Sequence, residues 1–290
     1  MRANFRDMNT WCTDEFTSYI IKKILDNTTN NRTRYAPKQW LHDGFACWWA
    51  HDGFSADSEF HKTLILRSMF ALKNQNLTPE VFKDWTIFRE RFGEDIAEAV
   101  AYSGLAYLQK NKGRKTVIDL VKSIYGRDIP NDSRETIYEL FHPMPVIFKE
   151  QTGEKWEDFI SNWKDWINKT ASLPEFETRL AEIPEVKGSV EIIKKEGNIR
   201  DIAYEFNFSR IPDPGCICSL LHKKLPPFDS VISPETLRRE EIKYRKDSKY
   251  EKRHLAGKYN SGERVFLALE YDSDTLGIPV RILSSRINIE

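Results

Sequence analysis

Carboxylates in two short segments are the side chains of this sequence best suited to metal binding or acid–base chemistry. The first segment, Asp14-Glu15-Phe16-Thr17-Ser18, opens a helix-like run, and the second is Trp40-Leu41-His42-Asp43-Gly44-Phe45-Ala46. Carboxylate oxygens can bind a metal ion or accept a proton. A structural explanation stays open for both segments. Acidic residues at a helix start complement the helix dipole, and the aromatic residues around Asp43 can form a face packed into a core.

The two segments together resemble the two halves of the metal site of a gluzincin zinc metallopeptidase. In that family one helix carries His-Glu-x-x-His, and a later helix carries Trp-Leu-x-Glu-Gly-Phe-Ala, whose Glu is the third zinc ligand. The two His side chains share one helix face and bind zinc, while the first Glu activates the bound water as general base. Here the first motif reads Asp-Glu-Phe-Thr-Ser, and Asp43 stands where the second motif has Glu.

The resemblance implies a role for each aligned residue. The metal-ligand positions are occupied by Asp14, Ser18 and Asp43. Glu15 falls at the position of the general base. Tyr102 falls where many gluzincins carry a tyrosine that stabilises the tetrahedral intermediate, with a packed structural role as the alternative. Because both imidazoles are replaced, the main sources of zinc affinity are lost. We therefore expect no cofactor, or zinc if the site is functional.

The similarity covers roughly residues 10 to 167, and the run from Glu154 to Trp166 resembles the last helix of the same peptidase domain. Gluzincins also have a β-sheet before the motif helix, whose edge strand holds the peptide substrate. Only about a dozen residues precede Asp14. We expect this sheet to be missing unless a partner chain supplies it.

A second metal set is conceivable among His42, Asp43, His51 and Asp52. The two His residues are nine positions apart, which does not correspond to one helix face unless a turn intervenes. The remaining histidines show no partner spacing and are expected to be ordinary surface or core residues: His61, His142, His222 and His254.

Charge and composition restrict the partners. Lys plus Arg and Asp plus Glu both number 44, so the net charge is zero and nothing favours nucleic acid. No apolar stretch is long enough for membrane insertion, and the N-terminus lacks the apolar core of a signal peptide. A cytoplasmic location is the expectation, or an extracytoplasmic one if the chain belongs to a longer precursor. The pair Cys216 and Cys218 is spaced too tightly for a zinc ribbon and is expected in a strand.

The pattern of apolar residues divides the 290 residues into two domains. Residues 1–173 are predicted to form a helical, peptidase-like domain, with 174–185 as a linker. Residues 186–290 are predicted to form an all-β sandwich of immunoglobulin or fibronectin type, because short alternating runs are separated by turn signals. The predicted strands cover 189–193, 202–208, 216–221, 265–271 and 280–289. The short basic stretch from Arg238 to Arg253 contains acidic residues too and is expected to be solvated surface.

Helical periodicity predicts the elements of the first domain. One helix is expected to begin at Asp14, and another to start near Pro37 and include Trp48. A helix from Pro79 to Phe92 is expected to stop at Gly93. The other predicted helices span 61–72, 94–110, 116–125 and 156–167.

Two functional hypotheses follow. The first is a catalytically inactive gluzincin-like homologue that acts as a protein-binding or scaffolding module for a protein or peptide. The second is an active metal-dependent peptidase, a hydrolase, with a rebuilt or partner-completed site. The first predicts no stoichiometric zinc. The second predicts a divalent metal bound in the pocket lined by Asp14, Glu15 and Asp43.

Overall fold

Among the residues that the structure describes, helices come first, up to Glu182, and antiparallel strands follow. The computed structural model describes residues 36–51, 58–74, 79–82, 85–125, 144–194, 199–209, 218–225, 238–242, 251–260 and 262–289. Two compact units emerge among them. The first comprises the described residues up to Phe88 together with Glu94–Glu177, and the second comprises Arg89–Gly93 and the described residues from Thr178 onward.

The described chain contains a short 3-10 helix at Pro79–Phe82 and a series of α-helices. These are α1 (Ala36–His51), α2 (Glu59–Asn74), α3 (Trp85–Phe92), α4 (Glu94–Lys112), α5 (Arg114–Tyr125), α6 (Met144–Thr152), α7 (Trp156–Ala171) and α8 (Pro174–Glu182). No helix among the residues described combines the length and the apolar character needed to span a bilayer.

The centre of the first unit is α4, which packs against α1, α2, α5 and α7. Almost every side chain from Ile96 to Leu105 is buried, as expected for a helix surrounded by others. Aromatic rings fill the space beside it, with neighbouring centroids 4.7 to 6.0 Å apart. Contacts at this distance stabilise a core beyond simple area burial. The rings belong to Trp40, Phe82, Trp85, Phe88, Phe148, Trp156, Phe159 and Trp163.

Several predicted helices are confirmed within one turn, including α1, α2, α4, α5 and α7. The predicted helix from Pro79 to Phe92 is wrong as one continuous element, because Pro79–Phe82 is a 3-10 turn and α3 begins at Trp85. Its predicted glycine stop is confirmed. Gly93 has φ +89°, and its N–H donates to the Arg89 carbonyl over 2.8 Å. The helix predicted to begin at Asp14 lies outside the described residues.

The described strands of the β region form two antiparallel sheets. The strands are β1 (Val186–Lys194), β2 (Ile199–Phe208), β3 (Cys218–Leu225), β4 (Arg238–Ile242), β5 (Glu251–Asn260), β6 (Arg264–Ser273) and β7 (Ile278–Asn288). One sheet has the order β1-β2-β5 and the other the order β4-β3-β6-β7. The chain is therefore a helical region followed by an antiparallel β region.

Central strand β6 is buried without interruption from Val265 to Tyr271. Successive side chains of a strand point to opposite faces, so both faces of β6 are covered. A small apolar cluster on β3 and β6 contains Leu221, Leu225, Phe266 and Ala268. His222 of β3 and Tyr259 of β5 are both buried, and Nδ1 and the hydroxyl oxygen lie 2.7 Å apart. This hydrogen bond joins a strand of one sheet to a strand of the other.

The second unit also contains a buried cluster of charges. The Arg281 guanidinium donates to Glu270 Oε2 over 3.4 Å and to the Glu90 carbonyl oxygen over 3.0 Å. Arg286 forms an ion pair with Glu90. Each buried carboxylate thus has a cationic partner, which offsets part of its desolvation cost.

Residues 174–185, expected as a linker, include helix α8. Pro174 is the first residue of this helix. Proline is favoured there, because its fixed φ suits a helix and the N–H that it lacks would have no partner within the helix.

Candidate functional site

Asp43, the predicted third metal ligand, is a buried carboxylate on α1 with an aromatic hydrogen-bond donor. Only 2% of Asp43 is exposed, and Trp85 at the start of α3 is fully buried. Trp85 Nε1 donates to Asp43 Oδ2 over 3.0 Å. A buried indole N–H and a buried carboxylate both need a hydrogen-bond partner, and here each group is the partner of the other. Sequence alone does not identify Trp85, because it lies 42 residues after Asp43 and no sequence pattern links the two positions.

The neighbouring residue His42 also faces this carboxylate. His42 Nδ1 lies 3.6 Å from Asp43 Oδ1. That distance is too long for a hydrogen bond but short enough for an ion pair when the imidazole is protonated. The other two residues of the predicted second metal set cannot be placed with them: Asp52 and the side chain of His51 lie outside the described part of the chain.

Tyr102, the predicted transition-state residue, lies on α4 and is 5% exposed. Its hydroxyl oxygen is 2.7 Å from His61 Nδ1 on α2, and the two rings meet edge-on with centroids 5.8 Å apart. Ser58 fixes the start of α2, because its Oγ accepts the His61 N–H over 3.2 Å as an N-cap. His61, expected to be an ordinary histidine, is therefore a specific partner of Tyr102.

Helices α1 and α4 approach each other closely next to Asp43 and Tyr102. A Cβ placed on Gly44 would lie 2.8 Å from the carbonyl carbon and oxygen of Ala101. Only glycine permits so short an approach. Because Gly44 follows Asp43 and Ala101 precedes Tyr102, the stretch of α1 that carries Asp43 lies beside the stretch of α4 that carries Tyr102.

A further hydrogen bond fixes the other side of α4. Trp163 Nε1 of α7 donates to Ser103 Oγ over 3.1 Å, and Gly104 lies against the Trp163 ring. The position of Tyr102 is thus set by contacts from α1, α2 and α7.

Three of the predicted site residues, Asp14, Glu15 and Ser18, lie outside the described residues. Within the described ranges, no three His, Cys, Asp or Glu side chains are grouped closely enough to hold a metal ion.

A groove of about 580 Å³ lies elsewhere in the first unit, between α6 and the start of α7. Its apolar lining includes buried Trp156 and Val146, which is 47% exposed. Charged side chains of both signs complete it, namely Lys149, Glu150, Lys155 and Glu157. None of the predicted site residues lines this groove.

Comparison with known proteins adds no assignment: no protein-family model matches the sequence, and no curated protein matches it.

Proposed function

We propose that this chain is a catalytically inactive, gluzincin-like homologue that acts as a protein-binding or scaffolding module. The observation that carries the proposal is the hydrogen bond from Trp85 Nε1 to Asp43 Oδ2. The carboxylate in the third-ligand position is buried and already accepts a hydrogen bond from a tryptophan of the aromatic core. Such a carboxylate has a structural reason to be present without any metal.

Tyr102 supports the same proposal. Its hydroxyl is hydrogen-bonded to His61 Nδ1, and its ring is buried in the helical core. A tyrosine that stabilises a reaction intermediate needs its hydroxyl directed at the substrate oxygen. In this chain the hydroxyl has a neighbour on α2 instead.

The β region contributes the second half of the proposal, a β-sandwich domain over residues 186–290. Two antiparallel sheets of three and four strands, with a buried hydrogen bond from His222 to Tyr259 between them, are consistent with face-to-face packing. Within the described strands, β4 pairs with β3 and not with β5. That pairing differs from the immunoglobulin constant arrangement, whose fourth strand belongs to the first sheet. Domains of this class commonly serve as binding modules, an analogy at the level of fold alone.

The competing function is an active metal-dependent peptidase with a rebuilt or partner-completed site. The close approach of Gly44 to Ala101 favours it, since it holds the Asp43 and Tyr102 segments side by side. The Trp85 hydrogen bond is compatible with it as well, because carboxylates that bind metals are themselves hydrogen-bonded. In that case the metal would bind in a pocket lined by Asp14, Glu15 and Asp43, with Glu15 as general base.

Hydrolysis of a quenched fluorescent peptide library in the presence of zinc tests the two functions. The proposal predicts equal, background cleavage by the wild type and by Glu15→Gln. Cleavage by the wild type that Glu15→Gln abolishes would overturn it. Addition of a lysate fraction to both proteins extends the test to a site completed by a partner chain.

Restoring the family motif tests the resemblance itself. The triple variant Asp14→His, Ser18→His, Asp43→Glu recovers both imidazoles and the longer carboxylate, and we expect it to bind about one zinc per chain. The double variant Asp14→His, Ser18→His keeps the native Asp43 in case the larger side chain disturbs the core. Folded variants of both kinds that bind no zinc would contradict the resemblance.

A further inference from the structure

Strand β1 is an outer strand of its sheet and lacks the features that usually protect such an edge. The order β1-β2-β5 leaves one side of β1 without a described strand beside it. All residues from Val186 to Lys194 pair with β2 in one continuous register, without a bulge, and none of them is proline. A straight outer strand of this kind presents a row of backbone N–H and C=O groups that can pair with another strand.

The other outer strands among those described each carry some protection. Strand β4 has only 5 residues, and all but Ile242 are charged. The pairing of β5 with β2 shifts register next to Ala203, and the pairing of β7 with β6 shifts register next to Glu270. Strand β7 also contains Pro279. Short length, charge, bulges and proline all hinder edge-to-edge pairing, so β1 is the outer strand best suited to it.

The register between β1 and β2 gives these two strands one apolar and one polar face, because alternate residues of a strand share a face. The apolar face contains the opposed pairs Val186–Phe208, Val190–Tyr204 and Ile192–Ile202. On the polar face, Lys187 stands opposite Asn207, and Glu191 stands opposite Ala203. Neither of these two charged residues therefore has a residue of opposite charge directly across from it on β2.

Strand β1 is complementary to a second copy of itself in antiparallel orientation. A two-fold axis through Ser189 would place Lys187 of each copy opposite Glu191 of the other. The same register would place Val186 of each copy opposite Ile192 of the other. Opposed residues of antiparallel strands share a face, so the apolar and the polar faces would both continue across the junction.

Two-fold axes through the residues next to Ser189 lack this complementarity. An axis through Val190 would place Lys187 opposite Ile193. An axis through Gly188 would place Glu191 opposite Glu185. Like charges directly opposite each other destabilise a pair of strands, whereas opposite charges stabilise it. The register centred on Ser189 is therefore favoured over its neighbours.

We infer that β1 is a self-association edge, through which two copies of this chain form a symmetric dimer with the strand order β5-β2-β1-β1-β2-β5. The inference goes beyond the proposed binding function, since the partner is a second copy of this chain. It rests on the continuous register of β1 with β2 and on the spacing of Lys187 and Glu191 about Ser189. A two-fold symmetric interface requires such self-complementarity, because each residue meets in the other copy the residue that its own copy presents.

Charge reversals in the full chain, studied by sedimentation velocity over the micromolar range, test the inference. Lys187→Glu and Glu191→Lys each replace two opposed ion pairs with two like-charge pairs, and we expect each to weaken dimerisation about tenfold or more. The double variant Lys187→Glu/Glu191→Lys exchanges the charges and should dimerise like the wild type. Asp274→Lys is the matched control, because Asp274 is an exposed residue of the second unit outside β1, and this variant should also dimerise like the wild type.

A mixture of the two single variants gives the sharpest readout. Each variant supplies the charge that the other lacks, so the equimolar mixture should form a mixed dimer at concentrations where either variant alone is monomeric. Circular dichroism verifies folding, and Ser189→Arg, which places two cations on the two-fold axis, replaces a charge reversal that does not fold. A wild type that stays monomeric throughout the range, a dimer that the single variants retain, or no recovery in the double variant and the mixture would each overturn the inference.

Discussion

Trp85 Nε1 lies 3.0 Å from Asp43 Oδ2, and both residues are buried between α1 and α3. This hydrogen bond gives a purely structural reason for a carboxylate at the position where the sequence resembles a zinc-ligand motif. Asp43 contributes both a hydrogen-bond acceptor and a negative charge. Asp43→Ala removes both, whereas Asp43→Asn removes only the charge.

The first prediction concerns the stability conferred by Asp43. Asp43→Ala leaves the buried Trp85 N–H without its acceptor and should lower the free energy of unfolding by about 1–3 kcal/mol. Asp43→Asn retains an acceptor oxygen and should cost only about 1 kcal/mol, the difference between a charged and a neutral acceptor. Urea unfolding of the three proteins measures both values. Equal losses for the two variants would show that the hydrogen bond is not what Asp43 contributes.

The second prediction concerns the hydrogen bond between His61 and Tyr102. Tyr102→Phe and His61→Ala should each destabilise the protein, and a double-mutant cycle should give a coupling of about 1 kcal/mol. Thermal or urea unfolding of the two single variants and the double variant provides the coupling. Strictly additive losses would mean that the two side chains do not stabilise each other.

The third prediction concerns the approach of α1 to α4. Gly44→Ala places a methyl group 2.8 Å from the Ala101 backbone, which cannot move aside as a flexible side chain would. We expect a loss of about 1–3 kcal/mol from overpacking. Gly104→Ala is the matched control, because its methyl group would meet the Trp163 ring at 3.3 Å and needs a smaller adjustment. A cost for Gly44→Ala no larger than that for Gly104→Ala would contradict the tight approach of α1 to the Ala101 backbone.

The fourth prediction is a pH dependence in the β region. A hydrogen bond from Lys224, and then bonds from the Asn260 side chain and backbone, lower the pKa of Glu263 from 4.5 to about 2. A lowered folded-state pKa means that the stabilisation is complete above pH 4.5 and is lost as the pH falls towards 2. As the pH falls through this range, the difference in free energy of unfolding between the wild type and Glu263→Gln should therefore become smaller. A gap that stays constant from pH 5 to 2, or a carboxyl that titrates near 4.5 by nuclear magnetic resonance, would contradict the prediction.

Helical periodicity and turn signals were enough to predict most of the long elements. α7 illustrates why, because Trp156, Phe159, Ile160, Trp163 and Ile167 recur at helical spacing and are all buried. The order of a helical region followed by a β region was predicted for the same reason.

Strands β4 and β5 were missed, and the stretch that contains β4 and the start of β5 was interpreted as solvated surface. Each is an outer strand of its sheet, at the end of the orders β4-β3-β6-β7 and β1-β2-β5. Outer strands often carry charged residues, which protect the open edge and erase the alternating apolar pattern. Helix α8 was missed as well, although Pro174 at its first position is a recognised start signal.

The contacts at the candidate site could not be read from sequence. Asp43 was singled out by its motif, but its donor Trp85 is 42 positions away, and His61 is 41 positions from Tyr102. The first pair is brought together by the approach of α1 to α3 and the second by the packing of α2 against α4, and neither periodicity nor local spacing records such contacts.

The metal content of the purified full chain tests the central proposal most directly. The wild type and Asp43→Asn are exposed to zinc, dialysed extensively, checked for folding by circular dichroism and measured by inductively coupled plasma mass spectrometry. The proposal predicts that both folded proteins retain far less than one zinc per chain. About one zinc per chain in the wild type, lost in Asp43→Asn, would contradict it and would favour a metal-dependent peptidase.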